Sequence, residues 1–350
     1  MLKPLKILIF AALFIISSCA MKKDVTYIKN PNLPVIKEGW KGNPMVGKLF
    51  TNNGTIERYS FWQILKWQFQ INPQRKEKKA DTFRVPVVKT TDFVTSKNNM
   101  IVWLGHASFF IRINGVTIIT DPALDDMIFM KRLAGIPCSV EKMTGIDYVL
   151  LSHNHRDHID KKALKTIFKA NPKIKALIPL HTSYLVNDYT NNIEEAGWFQ
   201  KYTTTENVRI YFMPAKHWSR RGLFDFNKSL WGSFVIQTDS TTVFFTGDTR
   251  FGDHFADIAS LFPKIDYALM PIGPYKPENI MEKGHMSPAE SVNAANILKP
   301  THFIPMHYGT YDLSDEPIGE PLRKLESLKK EGAYKGIIDV LKIGEEFSIK

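Results

Sequence analysis

From Asn98 onward the chain alternates short apolar runs with turn residues: "MIVWLGHASFFIRI", "VTIITDPA", "IDYVLLS", "KIKALIPL", "VRIYFMP", "LWGSFVIQT", "TVFFTGD", "IDYALMPIG" and "THFIPMHYG". Runs of this length, rich in β-branched and aromatic residues, predict strands. Several alternate with a period of two, as half-buried strands do, and the continuous ones suit strands covered on both faces. Helical stretches lie between them. "KKALKTIFKA" follows Asp160, a ready N-cap, and stops at Asn171-Pro172. Ser287-Pro288-Ala289-Glu290 is a capping box with proline at the first helical position, and its helix closes at Lys299-Pro300. Two runs of strands with interspersed helices predict a layered α/β sandwich.

The pattern divides the chain into a leader (1–18), an N-terminal extension (19–95) and a main domain (96–350). Within the extension, "YSFWQILKWQF" has helical spacing, which predicts a helix whose Phe61, Trp62, Leu65 and Trp67 pack onto the main domain; the competing placement for these side chains is a lipid-facing patch. "RKEKKA", at 75–80, reads as a solvated linker.

Composition changes this picture only at the ends. With 44% hydrophobic and 23% charged residues in 350, the chain can bury a full core, which excludes a disordered protein. The leader carries Lys3 and Lys6, an apolar run from Ile7 to Ile16 and then small residues, the pattern of an export signal too short to span a bilayer. Ile16-Ser17-Ser18-Cys19 resembles a bacterial lipobox, which implies an exported lipoprotein anchored through Cys19. An uncleaved anchor or a plain secretory peptide is the alternative. Cys138 is the other cysteine, so a lipidated Cys19 leaves no internal disulfide. The net charge of +11 favours anionic partners such as lipid headgroups or nucleic acid. No nucleic-acid module accompanies it, so a nucleic-acid partner is not expected.

The chemistry is concentrated at strand ends. "LSHNHRDHID", 151–160, sets His153, His155, Asp157 and His158 within six residues directly after an apolar strand. Imidazole and carboxylate without thiolate suit zinc, and also iron or manganese. His217 follows "VRIYFMPAK", Asp248 follows "TVFFTG" and His307 follows "THFIPM". For each alone a hydrogen-bonded structural role competes with ligation. Residues at one edge of a sheet converge although far apart in sequence, so together with the first cluster they predict one metal site.

These motifs, with "AKHW", "TGDT" and "MHYG" around the last three residues, resemble the successive metal motifs of the metallo-β-lactamase superfamily, in the family's order. The resemblance covers about residues 96 to 350 and implies an αββα sandwich with a dinuclear site on one edge. "WLGHASFFIRINGVTIITDPAL", "HWSRRGLFDFNKSLWGSFVI", "FTGDTRFG" and "PIGPYKPENIMEKGHMSPAESV" are similar to the group of phospholipases D that hydrolyse N-acylphosphatidylethanolamine. Carried over residue by residue, the resemblance implies that His153, His155 and His217 hold one divalent metal, zinc first among the candidates, and that Asp157, His158 and His307 hold a second. The same resemblance implies that Asp248 bridges the pair.

The expected reaction is attack of a metal-generated hydroxide on phosphorus, which leaves phosphatidic acid and an N-acylethanolamine, with a phospholipid and its membrane surface as partners. Asp157 and His285 are the expected catalytic residues. His285 would orient the phosphate or pass a proton to the leaving group, although a histidine that only bonds a loop carbonyl fits the same position. His106 is expected to brace the site. Arg220 and Arg221 are candidates for the anionic headgroup, or else lie in solvent. His181, His254 and His302 are expected to be structural. The alternatives are a lactonase of the ascorbate-phosphate type or another small-molecule hydrolase, a nuclease acting outside the cytoplasm, and a non-enzymatic metal-binding envelope protein.

Overall fold

The computed structural model describes residues 24–56, 60–127 and 130–350. The leader and Cys19 lie outside the described residues. Two seven-stranded sheets form the body of the fold. The first contains β4 (Met100–Gly105), β5 (Ser108–Ile113), β6 (Val116–Thr120), β7 (Tyr148–Leu150), β8 (Lys175–Pro179) and β9 (Ile193–Ala196) side by side, with β17 (Glu346–Ser348) on the outer edge of β4. The second runs in sequence order through β10 (Gln200–Lys201), β11 (Arg209–Met213), β12 (Ser233–Gln237), β13 (Thr242–Phe245), β14 (Tyr267–Pro271), β15 (His302–Met306) and β16 (Ile337–Ile338). Each begins antiparallel and turns parallel, from β6 to β9 and from β13 to β16.

The period-two geometry of strands assigns the layers. Ile101, Trp103, Phe109 and Ile111 face between the sheets and share one core with Phe212, Phe234 and Phe245. Their neighbours Val102, Leu104 and Phe110 point the other way. There they meet Leu164, Ile167 and Phe168 of helix α4 (Lys161–Ala170). On the far side of the second sheet, α5 (His254–Leu261) and α7 (Pro288–Leu298), separated in sequence by the short α6 (Glu278–Met281), supply Phe255, Ile258, Val292 and Ala295 to the central core. The architecture is therefore the αββα sandwich. Both expected caps are present: Asp160 accepts from the Lys162 amide, and Ser287 and Glu290 bond reciprocally at the head of α7.

The extension builds a small sheet of β1 (Val25–Ile28), β2 (Asn43–Val46) and β3 (Leu49–Phe50). It then passes through α1 (Phe61–Phe69), α2 (Arg75–Ala80) and α3 (Asp92–Thr95). Here two expectations are corrected. Helix α1 buries its expected face only in part: Leu65 and Trp67 are partly covered and Trp67 bonds Asp315 of the main domain, but Trp62 is 73% exposed, as is Phe69 at 76%, and the side chain of Phe61 lies outside the described residues. "RKEKKA" is solvated but helical rather than a linker, because Lys78 reaches the Ser314 carbonyl and Asp312 and holds the turn against the main domain.

Candidate metal centre

Parallel strands of both sheets end on the same edge of the sandwich, and the polar residues that follow them are brought together there. His153 to His158 follow β7, His217 follows β11, Asp248 follows β13 and His307 follows β15. Three side-chain nitrogens face one another: Nε2 of His153 lies 2.8 Å from Nδ1 of His155, which lies 3.1 Å from Nε2 of His217. Beside them Nε2 of His158 is 3.2 Å from Nε2 of His307, and Oδ2 of Asp157 is 3.7 Å from each. Asp248 sits between the groups, its carboxylate 3.2 Å from His158, 3.1 Å from His307 and 3.9 Å from His217. Two metal-competent clusters of four result, His153-His155-His217-Asp248 and His106-Asp157-His158-His307, and two smaller groups overlap them, Asp121-His153-His158 and Asp248-His285-His307.

The donor set fits cations. Both carboxylate oxygens of Asp248 and Nε2 of His155 are buried without a hydrogen-bond partner, a costly arrangement unless a positive charge lies between them. Burial, reinforced by the neighbouring imidazoles, holds His153 and His217 well below the ordinary histidine range and brings His155 to about 4. These rings are neutral at pH 7, the form that ligates. Burial opposes ionisation of Asp157 and Asp248, yet the nearby histidines, His158 foremost, outweigh it and hold both carboxyls well below their usual range.

A ring of partners fixes which nitrogen each histidine presents. Asp121, at the end of β6, meets Nδ1 of His158 at 2.7 Å and also accepts from the Ser152 hydroxyl. That hydroxyl in turn lies 2.8 Å from Nδ1 of His153. Nδ1 of His217 donates to the Gly284 carbonyl at 2.8 Å, and a Cβ at Gly284 would stand 2.8 Å from that nitrogen. Gly247 has the same necessity, since its φ of 56° and a virtual Cβ 2.7 Å from that of Ser152 let the Asp248 loop close on the His153 loop. His106, Asp121 and His307 all hold left-handed backbone, at φ of 57°, 33° and 63°. Non-glycine residues rarely adopt that conformation outside sites that enforce it.

His285 stands over both clusters, its Nδ1 3.5 Å from Asp248 and its ring beside those of His217 and His307. Burial brings it to about 4, so its ring is neutral at pH 7. His106 contacts Asp157 at 3.1 Å and its backbone carbonyl accepts from the His307 amide. Arg221 enters from the loop after His217, its guanidinium Nη1 3.3 Å from the carbonyls of Asn154 and His155. Burial, with Arg156 nearby, lowers it to about 10, and it stays cationic. Arg156 donates to the Arg221 carbonyl at 3.0 Å. Elsewhere, His254 bonds Thr249, His302 pairs with Asp339 and His181 meets the Lys228 carbonyl, all away from the clusters. Sequence reasoning missed Asp121, Ser152 and the Gly284 carbonyl. Asp121 carried a usable signal, as the polar residue that ends "VTIIT".

The sequence matches the family described as beta-lactamase superfamily domain over residues 116–308, more than half of the chain. The chain belongs to the metallo-β-lactamase superfamily. It is 31% identical over 273 residues to an N-acyl-phosphatidylethanolamine-hydrolyzing phospholipase D of Caenorhabditis elegans, a match covering 73% of this chain and 77% of that protein. It is 33% identical over 244 residues to the mitochondrial enzyme of the same name from Saccharomyces cerevisiae, covering 67% of this chain but only 52% of the yeast protein. A metal-dependent hydrolase of Pyrococcus furiosus is 29% identical over 256 residues. Among solved structures, a metallo hydrolase from Ignicoccus hospitalis covers 72% of this chain and is itself covered to 99%, at 22% identity and a TM-score of 0.56, and shares the fold. The protein is a metal-dependent hydrolase of this superfamily.

Proposed function

We propose that the protein is a phospholipase D-type phosphodiesterase that cleaves N-acylphosphatidylethanolamine to N-acylethanolamine and phosphatidic acid. The observation that carries this reading is the pairing of two neighbouring ligand clusters, joined by Asp248, with a cationic Arg221 held against the backbone of the ligands themselves. A phosphodiester needs both, because it presents an anionic oxygen beside the bond to be broken. The names of the relatives from C. elegans and yeast point to the same substrate class.

His153, His155 and His217 would hold one divalent cation and Asp157, His158 and His307 the other, with Asp248 between them and zinc the expected metal. When bound, the two ions supply an activated water and neutralise charge on the reacting phosphate. Arg221 binds the anionic oxygens. His285 orients a phosphoryl oxygen through a ring N–H, since a ring held near 4 is neutral at pH 7 and keeps a single N–H rather than the second proton of a general acid. The water oxygen bonds to phosphorus as the bond from phosphorus to the ethanolamine oxygen breaks, and the departing alkoxide takes up the proton that the attacking water gives up.

Turnover of the purified protein against N-acylphosphatidylethanolamine, plain phosphatidylethanolamine, a lactone panel and a generic phosphodiester tests the proposal. Release of N-acylethanolamine above the other activities is expected; hydrolysis of lactones alone would transfer the site to the alternative class. The same reading places the protein at a membrane as an exported lipoprotein modified at Cys19. Mass spectrometry of the mature amino terminus checks that part, and an unmodified terminus starting elsewhere would overturn it.

A further inference from the structure

Helix α1 is amphipathic in the reverse of the usual sense. Trp62, Lys66 and Phe69, at i, i+4 and i+7, occupy one face, and most of the surface of both aromatic side chains is exposed. Ile71, just past the helix, is 74% exposed. The opposite side is tied down by polar groups: Nε1 of Trp67 donates to Asp315 at 3.0 Å and the Asn72 amide donates to the Asp315 carbonyl at 2.7 Å. A helix that packs against its own protein places its apolar stripe inward. This one holds its inner side by hydrogen bonds and presents large apolar groups outward, the arrangement of a surface made for another apolar phase.

Its position relates the patch to the metal centre. The chain leading into α1 is fixed at Asn52, whose side chain donates to the His217 carbonyl at 3.0 Å. The chain leaving α1 is fixed to Asp315, in the loop that follows His307. The helix thus connects the backbones of two loops that carry metal-competent residues. The same segment carries exposed Lys66, Arg75, Lys76 and Lys79 against one exposed acid, Glu77. Its charge complements an anionic surface, and each cation near such a surface adds to adsorption.

We propose that α1 and the residues after it are the face by which the protein lies on an anionic phospholipid bilayer. Trp62, Phe69 and Ile71 enter the boundary between headgroups and acyl chains, and Lys66, Arg75, Lys76 and Lys79 meet the headgroups. The proposal rests on the phospholipid reading of the site only in making that surface the source of substrate.

The test locates Trp62 without requiring turnover. The full chain is added to phosphatidylcholine–phosphatidylglycerol vesicles containing acyl-brominated lipid, and tryptophan fluorescence is compared with that of the Trp62→Phe chain. Bromine should quench the wild type, and Trp62→Phe should lose the larger part of that quenching. Equal quenching in the two chains would overturn the proposal. So would a Trp62 shielded from aqueous acrylamide before vesicles are added, which would mean that another part of the chain covers the patch. The double variant Trp62→Gln, Phe69→Gln should keep its turnover of detergent-dispersed substrate and lose roughly tenfold or more on vesicles. A chain that shows lipid quenching at Trp62 but hydrolyses no dispersed phospholipid would refute the proposed reaction and leave the membrane face standing.

Discussion

Oδ2 of Asp121 lies 2.7 Å from Nδ1 of His158, and the same carboxylate accepts from Ser152, whose hydroxyl meets Nδ1 of His153. One buried side chain therefore orients a histidine in each cluster. Asp121→Asn removes the negative acceptor without changing shape, and should lower the affinity for both metals by roughly 10–100-fold, the usual cost of losing such a partner. Ser152→Ala should weaken only the cluster containing His153. Metal retained against a graded chelator, followed by elemental analysis, distinguishes the two; equal effects on both metals from both variants would contradict the branching.

The clusters meet at Asp248, so the ligand variants should separate by stoichiometry. Asp157→Ala should lose one metal preferentially, because the histidines within 4 Å of its carboxylate among the described residues are His106, His158 and His307, all of one cluster. Asp248→Asn should deplete both, since its carboxylate approaches His217 on one side and His158 and His307 on the other. Elemental analysis after gel filtration checks the split, and retention of two metals by Asp248→Asn would mean that it does not join the clusters.

The sheets, the two cap-bounded helices and the four strand-end motifs were legible in the sequence because each rests on local periodicity or on a polar residue that ends an apolar run. Asp121 obeys the same rule at the end of "VTIIT", but a single aspartate with no spacing partner nearby does not announce a role in the sequence. The Gly284 carbonyl could not be read, since its partner His217 is distant in sequence and a backbone oxygen has no letter of its own. Helix α1 failed for a different reason. Apolar spacing identifies which residues share a face but is silent on whether protein or another apolar phase covers it, and Trp62 and Phe69 are exposed.

The ring of His285 lies beside those of His217 and His307, and its Nδ1 is buried without a hydrogen bond. His285→Ala should keep both metals and reduce kcat by about 10²-fold or more, the order found when a positioned donor to developing charge is removed. The comparison is made at matched metal content. Loss of a metal would reassign His285 to ligation, and unchanged kcat would leave it structural.

Arg221 presents a cation beside the backbone of Asn154 and His155. Arg221→Ala should raise KM for an anionic phosphodiester by roughly tenfold or more, with a smaller effect on a neutral ester, because a charged hydrogen bond to substrate is worth about 1.5–3 kcal/mol. Arg221→Lys restores charge without the planar fork and should recover only part of the loss. Equal KM changes for charged and neutral substrates would place the guanidinium in loop packing instead.

His254 gives a pH dependence outside the metal centre. It is buried at the start of α5, its Nε2 3.0 Å from the Thr249 hydroxyl, and burial followed by the charge of Lys216 lowers it to about 3. Arg250 adds to that repulsion and Asp253 opposes it. The native ring stays neutral while the unfolded ring takes up a proton below its ordinary value of 6.5. Unfolding therefore binds the proton, and stability falls as pH drops from about 6.5 towards about 3. The slope contributed by this one group approaches ~1.4 kcal/mol per pH unit. His254→Gln cannot protonate, so denaturant unfolding from pH 7 to pH 5 should show a shallower loss of stability than the wild type, even though the variant starts less stable. Parallel curves for the two chains over that range would show that His254 is protonated in the native state as readily as in the unfolded one.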